Sequence, residues 1–520
     1  MRKNKLNEKR NVIANHSIQT ALICLLLCTI LVVFAACGGS ADEEETTTVK
    51  ETTTTATAAE EETTAATAEY TLTVDESITY QTIESFGASG AWWSQDVGGW
   101  TNEVDTGEEA REYIARLLFD PETGIGLTNY RYNLAAGYEN STEGITDSWR
   151  RGENFETEPG VYDWTKDENS VWFLKKAVEY GVEDVVFFVN SPIERLTITG
   201  SSYGAADEDG NTSNLAPENY EAFAKYVLDV TEHFVTEEGI PVTTISPINE
   251  PQWEWTSGQE GCHYTTTEMV DVLKVFINAI SERDALDGVT ISAPESGEWS
   301  NTGTAYFKAI LADEELASYF TTLDSHSYWT DASGKKSFMT LMSTLGFTGS
   351  LRTTEWCEMT NGKNVTMASA LPLAEEINDD LTILNVVSWQ YWIAVSCYDY
   401  RDGLIYVNKT GKTVTVPKRL WAMGNYSKFI RPGAVRVDAA FDSEDVDTSA
   451  FLGTDGELIV VIINDNDTAA TINLTGIEGY TAMQVHTTDA DYDLECTYDG
   501  DYADSVEVTR KSVTTLVFTK

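Results

Sequence analysis

From about Tyr70 onward, short runs rich in β-branched and aromatic residues alternate with longer amphipathic stretches. In 108–119, 220–234 and 269–280 apolar residues recur three and four apart, which is helical spacing. Eight short runs read as strands. They end near Phe86-Gly87-Ala88-Ser89, Asn129-Tyr130-Arg131-Tyr132-Asn133, Phe187-Phe188-Val189-Asn190-Ser191-Pro192 and Asn249-Glu250-Pro251. The other four end near Ser292-Ala293-Pro294-Glu295, Asp324-Ser325-His326-Ser327, Thr354-Glu355-Trp356 and Ser388-Trp389-Gln390-Tyr391-Trp392. Helices falling between strands imply a parallel sheet with crossover connections. Eight such units predict an α/β fold, a (β/α)8 TIM barrel over 85–430 with some long loops. A doubly wound open sheet is the competitor, but it gives eight strand ends no common rim.

After Arg431-Pro432-Gly433 the pattern changes to short strands with turn residues between them: Val435-Arg436-Val437, then 458–463, 469–474 and 506–518. That predicts a side antiparallel β-sandwich over 431–520. Residues 69–84 are also strand-like and are expected to join it.

The chain before Tyr70 does not read as fold. Arg2, Lys3, Lys5, Lys9 and Arg10 precede an almost wholly apolar run, 18–34, and then Ala35-Ala36-Cys37-Gly38-Gly39-Ser40. Residues 1–37 thus resemble a bacterial lipoprotein signal with Cys37 as the lipidated residue, although Phe34 stands where leucine is more usual; a plain secretory signal or an uncleaved anchor is the alternative. Residues 38–68, rich in Thr, Ala and Glu, cannot bury enough apolar surface to fold and read as an acidic tether. The protein is therefore expected to be exported and lipid-anchored at the bacterial cell surface, or else secreted. Membrane contact is expected only through the lipidated N-terminus.

Composition narrows the partners. A formal charge of −50 excludes nucleic acid, whose phosphates demand Lys and Arg, and disfavours strongly anionic polymers unless the cleft is locally basic. The 14 Trp residues suit stacking on sugar rings, although core packing claims many of them. Cys262, Cys357, Cys397 and Cys496 lie beyond the tether, and none has metal-ligand spacing. The chain is expected as a monomer.

The chemistry sits at strand ends. Ile245-Ser246-Pro247-Ile248-Asn249-Glu250-Pro251 is an apolar strand stopped by a proline-locked Asn-Glu pair, and Ser350-Leu351-Arg352-Thr353-Thr354-Glu355-Trp356 also ends in a glutamate. A carboxylate there points out of the strand end, where a parallel barrel keeps its chemistry. Cleavage of a sugar acetal needs two carboxyls: one protonates the leaving oxygen and the other stabilises or attacks the anomeric carbon. As a bare tripeptide, Asn249-Glu250-Pro251 reads equally as a capped turn with a solvated glutamate, and Glu355 as an ion-pair residue. The strand before Glu250 and Trp253 and Trp255 after it favour the chemical reading.

These residues, with Phe86-Gly87-Ala88-Ser89-Gly90-Ala91, Thr354-Glu355 and Tyr426-Ser427-Lys428-Phe429-Ile430-Arg431-Pro432-Gly433, resemble glycoside hydrolase family 30 from about Tyr70 to the C-terminus. The resemblance implies Glu250 as acid/base and Glu355 as nucleophile, in double displacement with retention on a polysaccharide or oligosaccharide, with no metal or organic cofactor. Around them, Arg131 and Asn133 suit hydrogen bonds to sugar hydroxyls and orientation of Glu355, with a buried ion pair the alternative for Arg131. Asn249 suits a sugar hydroxyl beside the reacting carbon. His326 and Tyr328 suit donation to the nucleophile or to the glycone. Trp389 reads as the floor under the reacting sugar, and Trp92, Trp93, Trp253 and Trp255 as walls of neighbouring subsites. Core packing is the alternative for each Trp.

Ser89-Gly90-Ala91-Trp92-Trp93 and Asn249-Glu250-Pro251-Gln252-Trp253-Glu254-Trp255, followed by Gln259-Glu260-Gly261, resemble the endo-β-1,6-galactanase branch, which cuts arabinogalactan side chains. Arg195 and Arg401 instead suit a uronate-binding loop, which would favour glucuronoxylan. Ile193-Glu194-Arg195 departs from the Pro and Trp that family members often carry there. A β-1,6-glucanase and a non-catalytic carbohydrate-binding surface lipoprotein complete the alternatives.

Overall fold

A computed structural model describes residues 68–206 and 212–520. The signal, Cys37 and residues 38–67 of the tether lie outside the described residues. Ala68, read from sequence as tether, begins the first strand.

Eight strand positions form a closed parallel barrel. Around the sheet the strands run Thr290–Ile291, Val242–Ser246, Asp184–Phe188, Asn129–Asn133, Ser85–Ser89, Ser388–Tyr391, Ser350–Glu355, Thr322–His326 and Pro294–Ser296. The first and last of these are two pieces of one stretch of chain, so the sheet's two edges meet there. Ser292 N donates to Ile245 O on one side at 2.8 Å, and Asp324 N to Ala293 O on the other at 2.8 Å. The open-sheet alternative is thereby excluded.

Side-chain alternation decides what faces the barrel axis. On Asn129–Asn133, Tyr130 packs against Phe119 at 5.5 Å between ring centroids, and Tyr132 against Phe234 at 6.2 Å; both partners lie on surrounding helices. The opposite parity, Asn129, Arg131 and Asn133, is left for the interior. Crossover helices are amphipathic and deliberately started. Thr266–Ile280 has a capping box in which Thr265 N donates to Glu268 Oε2 at 2.8 Å and Glu268 N to Thr265 Oγ1 at 3.3 Å.

The C-terminal sheet carries nine strands, all antiparallel neighbours except one pair. The N-terminal strand Ala68–Thr82 lies inside it, antiparallel to Val435–Phe441 and parallel to Ala470–Thr475. The chain then passes into the barrel beside its own exit, with Ile83 N donating to Ala434 O and Gly433 N to Ile83 O, each at 2.8 Å. The strand Leu458–Asn464 is buried at every position because both its faces are covered. Leu458, Val460 and Ile462 fill the sandwich core, while Ile459, Val461 and Ile463 join the barrel's core.

A shared core predicts shared unfolding. Ile463→Ala should destabilise by about 2–4 kcal/mol, as for other buried Ile truncations. In calorimetry one transition should move down whole; splitting into two would show that the sandwich and barrel unfold independently.

Candidate active site

The interior residues of the barrel converge at the carboxyl ends of its strands on a buried cluster of charge. Arg131 lies at its centre with a fully buried side chain. Its Nη1 donates to Glu355 Oε2 at 2.9 Å, and its Nη2 donates to Asn249 Oδ1 at 3.1 Å and to Glu295 Oε2 at 3.5 Å. The guanidinium lies flat over the Phe188 ring at 3.7 Å, a contact that costs no hydrogen bond. Glu355 Oε1 accepts from the Tyr328 hydroxyl at 3.0 Å. Burial raises the Tyr328 phenol well above its ordinary range, so it remains a donor.

His326 links three carboxyls. Its Nδ1 lies 3.1 Å from Glu250 Oε1, and its Nε2 lies 3.3 Å from Glu295 Oε2 and 3.5 Å from Glu355 Oε2. Burial alone would lower its pKa, but the Glu355 charge and the acceptor oxygens of Glu250 and Glu295 raise it to about 9, which favours the imidazolium. Burial pushes the Glu355 carboxyl up, against the pull of His326 and Arg131. One oxygen of Glu250 and one of Glu355 lie within 4.8 Å of each other. Glu250, His326 and Glu355 could in bare geometry hold a cation. A protonated ring and the guanidinium on Glu355 oppose one.

Glu250 itself sits in a turn with φ 43°, a left-handed conformation that costs a non-glycine residue about 1–2 kcal/mol. Its backbone is clamped: Glu250 N donates to Glu295 O at 2.8 Å, and Glu250 O accepts from Trp253 N and from Trp255 Nε1, both at 3.2 Å. Gly297 leaves room for the carboxyl, since a Cβ there would come within 2.7 Å of Glu250 Oε1.

Glu295 carries no role in the sequence reading, yet it is fully buried in this cluster. The available signal was its position: an acidic residue closing a predicted strand, as Glu250 and Glu355 do. Asn249 spends its amide oxygen on Arg131, and its Nδ2 has no protein partner among the described residues, which leaves an N–H for a ligand. Asn133 is placed differently from the expectation. Its Oδ1 accepts from Asn190 Nδ2 at 3.0 Å, and it does not reach Glu355.

The aromatic expectations need two corrections. Trp389 has no exposed surface, and its Nε1 donates to Asp380 Oδ2 at 2.9 Å, so it is core rather than a floor for a sugar. Trp93 is also fully buried, packed edge-on to Phe173 at 4.5 Å with its Nε1 on Ser89 O, and has no face for a subsite. On the same run as Trp389, Trp392 is only partly buried and packs against Trp92 at 5.1 Å and Phe188 at 6.4 Å, beside the ring that carries Arg131. Trp253 is 38% exposed and Trp329 is 55% exposed, with their rings 5.7 Å apart. Trp329 follows Tyr328 directly and was not singled out from sequence.

The residues behind the galactanase resemblance mostly build loops. Gln259 Oε1 accepts from Arg150 at 3.3 Å, Glu260 Oε1 accepts from Ala136 N at 3.0 Å, and a Cβ at Gly261 would collide with the Trp255 ring at 2.3 Å. The arginines weighed for a uronate are occupied. Arg195 is paired with Glu156, including Nη2 to Oε1 at 2.8 Å, and Arg401 is paired with Glu358 and donates to Gly362 O at 3.3 Å.

The model of O-Glycosyl hydrolase family 30 matches residues 69–350 and 318–406, and that of the Glycosyl hydrolase family 30 beta sandwich domain matches 433–516. An endo-beta-1,6-galactanase of Hypocrea rufa is 23% identical over 434 residues, 78% of this chain and 83% of that protein. Glucuronoxylanase XynC of Bacillus subtilis is 27% identical over 288 residues, 54% of this chain and 60% of that one. Among solved structures, a conserved exported protein from Bacteroides fragilis superposes with a TM-score of 0.76 at 27% identity, covering 86% of this chain and all of that one (100%).

Burial separates the two kinds of tryptophan. Trp389→Ala should destabilise the fold by about 3–5 kcal/mol, whereas Trp253→Ala should change stability by less than about 0.5 kcal/mol. Chemical denaturation of both variants measures the difference; equal losses would contradict the assignment of Trp389 to the core.

Proposed function

Because the chain belongs to glycoside hydrolase family 30 and is a glycoside hydrolase, we propose that it is a retaining endo-β-1,6-galactanase in which Glu250 is the acid/base and Glu355 the nucleophile. The observation that carries the mechanism is the carboxyl separation. One oxygen of each carboxyl within 4.8 Å of the other supports the roughly 5–5.5 Å spacing of retaining pairs over the about 6.5–9.5 Å of inverting ones.

In the first step a Glu355 oxygen bonds to the anomeric carbon as the glycosidic C–O bond breaks, and the Glu250 proton passes to the departing oxygen. In the second step water attacks the anomeric carbon, its proton returns to Glu250, and the Glu355 ester bond breaks. Arg131 and Tyr328 hold one Glu355 oxygen each, which fixes the carboxylate's plane toward the sugar. Asn249 offers its Nδ2 to a hydroxyl next to the reacting carbon. Trp392 is the partly open ring beneath this position, and Trp253 with Trp329 forms the exposed rim.

Two observations favour a neutral galactan. One relative, matched over 78% of this chain, acts by its name on β-1,6-galactan. Arg195 and Arg401, the arginines suited to a uronate-binding loop, already carry carboxylate partners. We further infer, from residues 1–37, export and lipid anchoring at the bacterial cell surface.

Purified protein should release oligosaccharides from β-1,6-galactan in preference to glucuronoxylan or β-1,6-glucan. Preference for another member of that panel would overturn the substrate reading, and tight binding with no reducing ends released would overturn the enzymatic one for this chain. Glu355→Ala should abolish turnover, and Glu250→Gln should slow it by about 10²–10⁴-fold. The first product seen by NMR should keep the substrate's anomeric configuration; an inverted first product would remove Glu355 from its role. Since Glu355 must be ionised and burial raises its pKa, the acid limb of kcat/KM should lie above about 4.3, the ordinary glutamate value.

A further inference from the structure

We propose that Glu295 is a positioning residue for this reaction: a third, non-reacting carboxylate that balances the charge of His326 and Arg131, so that these cations do not draw the transferable proton off Glu250. The inference rests on the roles of Glu250 and Glu355 proposed above.

Glu295 has no route to a sugar. Its side chain is fully buried, with Oε1 accepting from Ser292 Oγ at 2.6 Å and Oε2 from Thr354 Oγ1 at 2.6 Å, while Oε2 also faces Arg131 at 3.5 Å and His326 at 3.3 Å. Its backbone carbonyl meanwhile holds Glu250 N. The residue therefore grips the acid/base by its main chain and the cations by its side chain.

Charge counting gives the grip a purpose. Two buried cations, Arg131 and His326, face three carboxyls, Glu250, Glu295 and Glu355. Without Glu295, two cations would face two carboxyls, and low-dielectric Coulomb attraction would favour ionising both. An ionised Glu250 cannot donate a proton. With Glu295 permanently ionised, the cations are neutralised by Glu295 and Glu355, and the neutral, proton-carrying form of Glu250 leaves the cluster balanced.

The electrostatics agree with this geometry. Burial opposes ionisation of Glu295, but Arg131, His326 and Ser292 hold its pKa down at about 2. On the next strand Asp324 is pushed up to about 7 by burial, with Arg352 3.9 Å away, so its own cation answers it. The groups facing His326 are the three carboxyls and the Tyr328 ring, whose centroid is 5.8 Å away.

The test is a pair of pH titrations on wild type and Glu295→Gln. The first follows the His326 imidazole by NMR, with the resonance assigned by comparison with His326→Asn among the chain's 5 histidines. The second follows kcat/KM on whichever panel glycan the wild type cleaves. The wild-type imidazolium should persist above pH 8. In Glu295→Gln it should titrate at least about one pH unit lower, the usual effect of losing an opposite charge at contact distance. The alkaline limb of kcat/KM should move the same way, and Glu295→Asp, which keeps the charge, should restore the limb. A uniformly lower kcat with an unmoved limb and unmoved imidazole would mark Glu295 as merely structural and overturn the proposal. A wild-type His326 already neutral at pH 7 would overturn it without any variant. If no panel glycan is cleaved, the functional reading fails, and the imidazole titration still decides the role of Glu295.

Discussion

The molecule is organised around a guanidinium that cannot be left alone. Arg131 is sealed from water at the heart of the barrel, and an unpaired charge there would cost several kcal/mol. Its donors must therefore meet acceptors from several strands at once. Glu355, Asn249 and Glu295 come from three different strand ends, and only a closed ring of parallel strands brings those ends to one point. The fold and the site are thus bound by one requirement: the same contacts that satisfy Arg131 hold Glu355 in place.

Much of this was legible in the chain because strand alternation and strand ends are written in short-range order. Arg131, Glu250, His326, Tyr328 and Glu355 each terminate or follow a β-rich run, and all lie in the cluster. The tryptophans were less legible for a physical reason. A ring at a strand end is equally apolar whichever way it points, so Trp389 and Trp392 differ only in parity and in the position where the strand stops. Asp380, which takes the Trp389 indole, lies on a helical segment whose placement local pattern does not reveal. Glu295 was harder to read for the opposite reason: its strand end was visible, but its role was not. Its partners are spread from Arg131 to Thr354, and nothing in its immediate neighbours announces them.

The sandwich illustrates a further limit of local reading. Its strands were recognisable from turn spacing, but a parallel neighbour for Ala68–Thr82 depends on where the chain's two ends meet. The unbroken apolar run 458–463 was the clue that both faces are covered, one by the sandwich and one by the barrel's core. The resulting seam leaves the mouth of the barrel untouched and braces the side wall.

The split strand that closes the barrel has a consequence for how the protein becomes active. Thr290–Ile291 and Pro294–Ser296 bond to opposite neighbours, so this short stretch is the clasp of the ring, and Glu295 sits on the clasp itself. Before the clasp shuts, Arg131 and His326 lack their shared carboxylate, and Glu250 lacks the carbonyl that clamps its main chain. An unclosed chain therefore carries Glu250 and Glu355 without the contacts that hold them, so that closing the ring and assembling the charged cluster are one event.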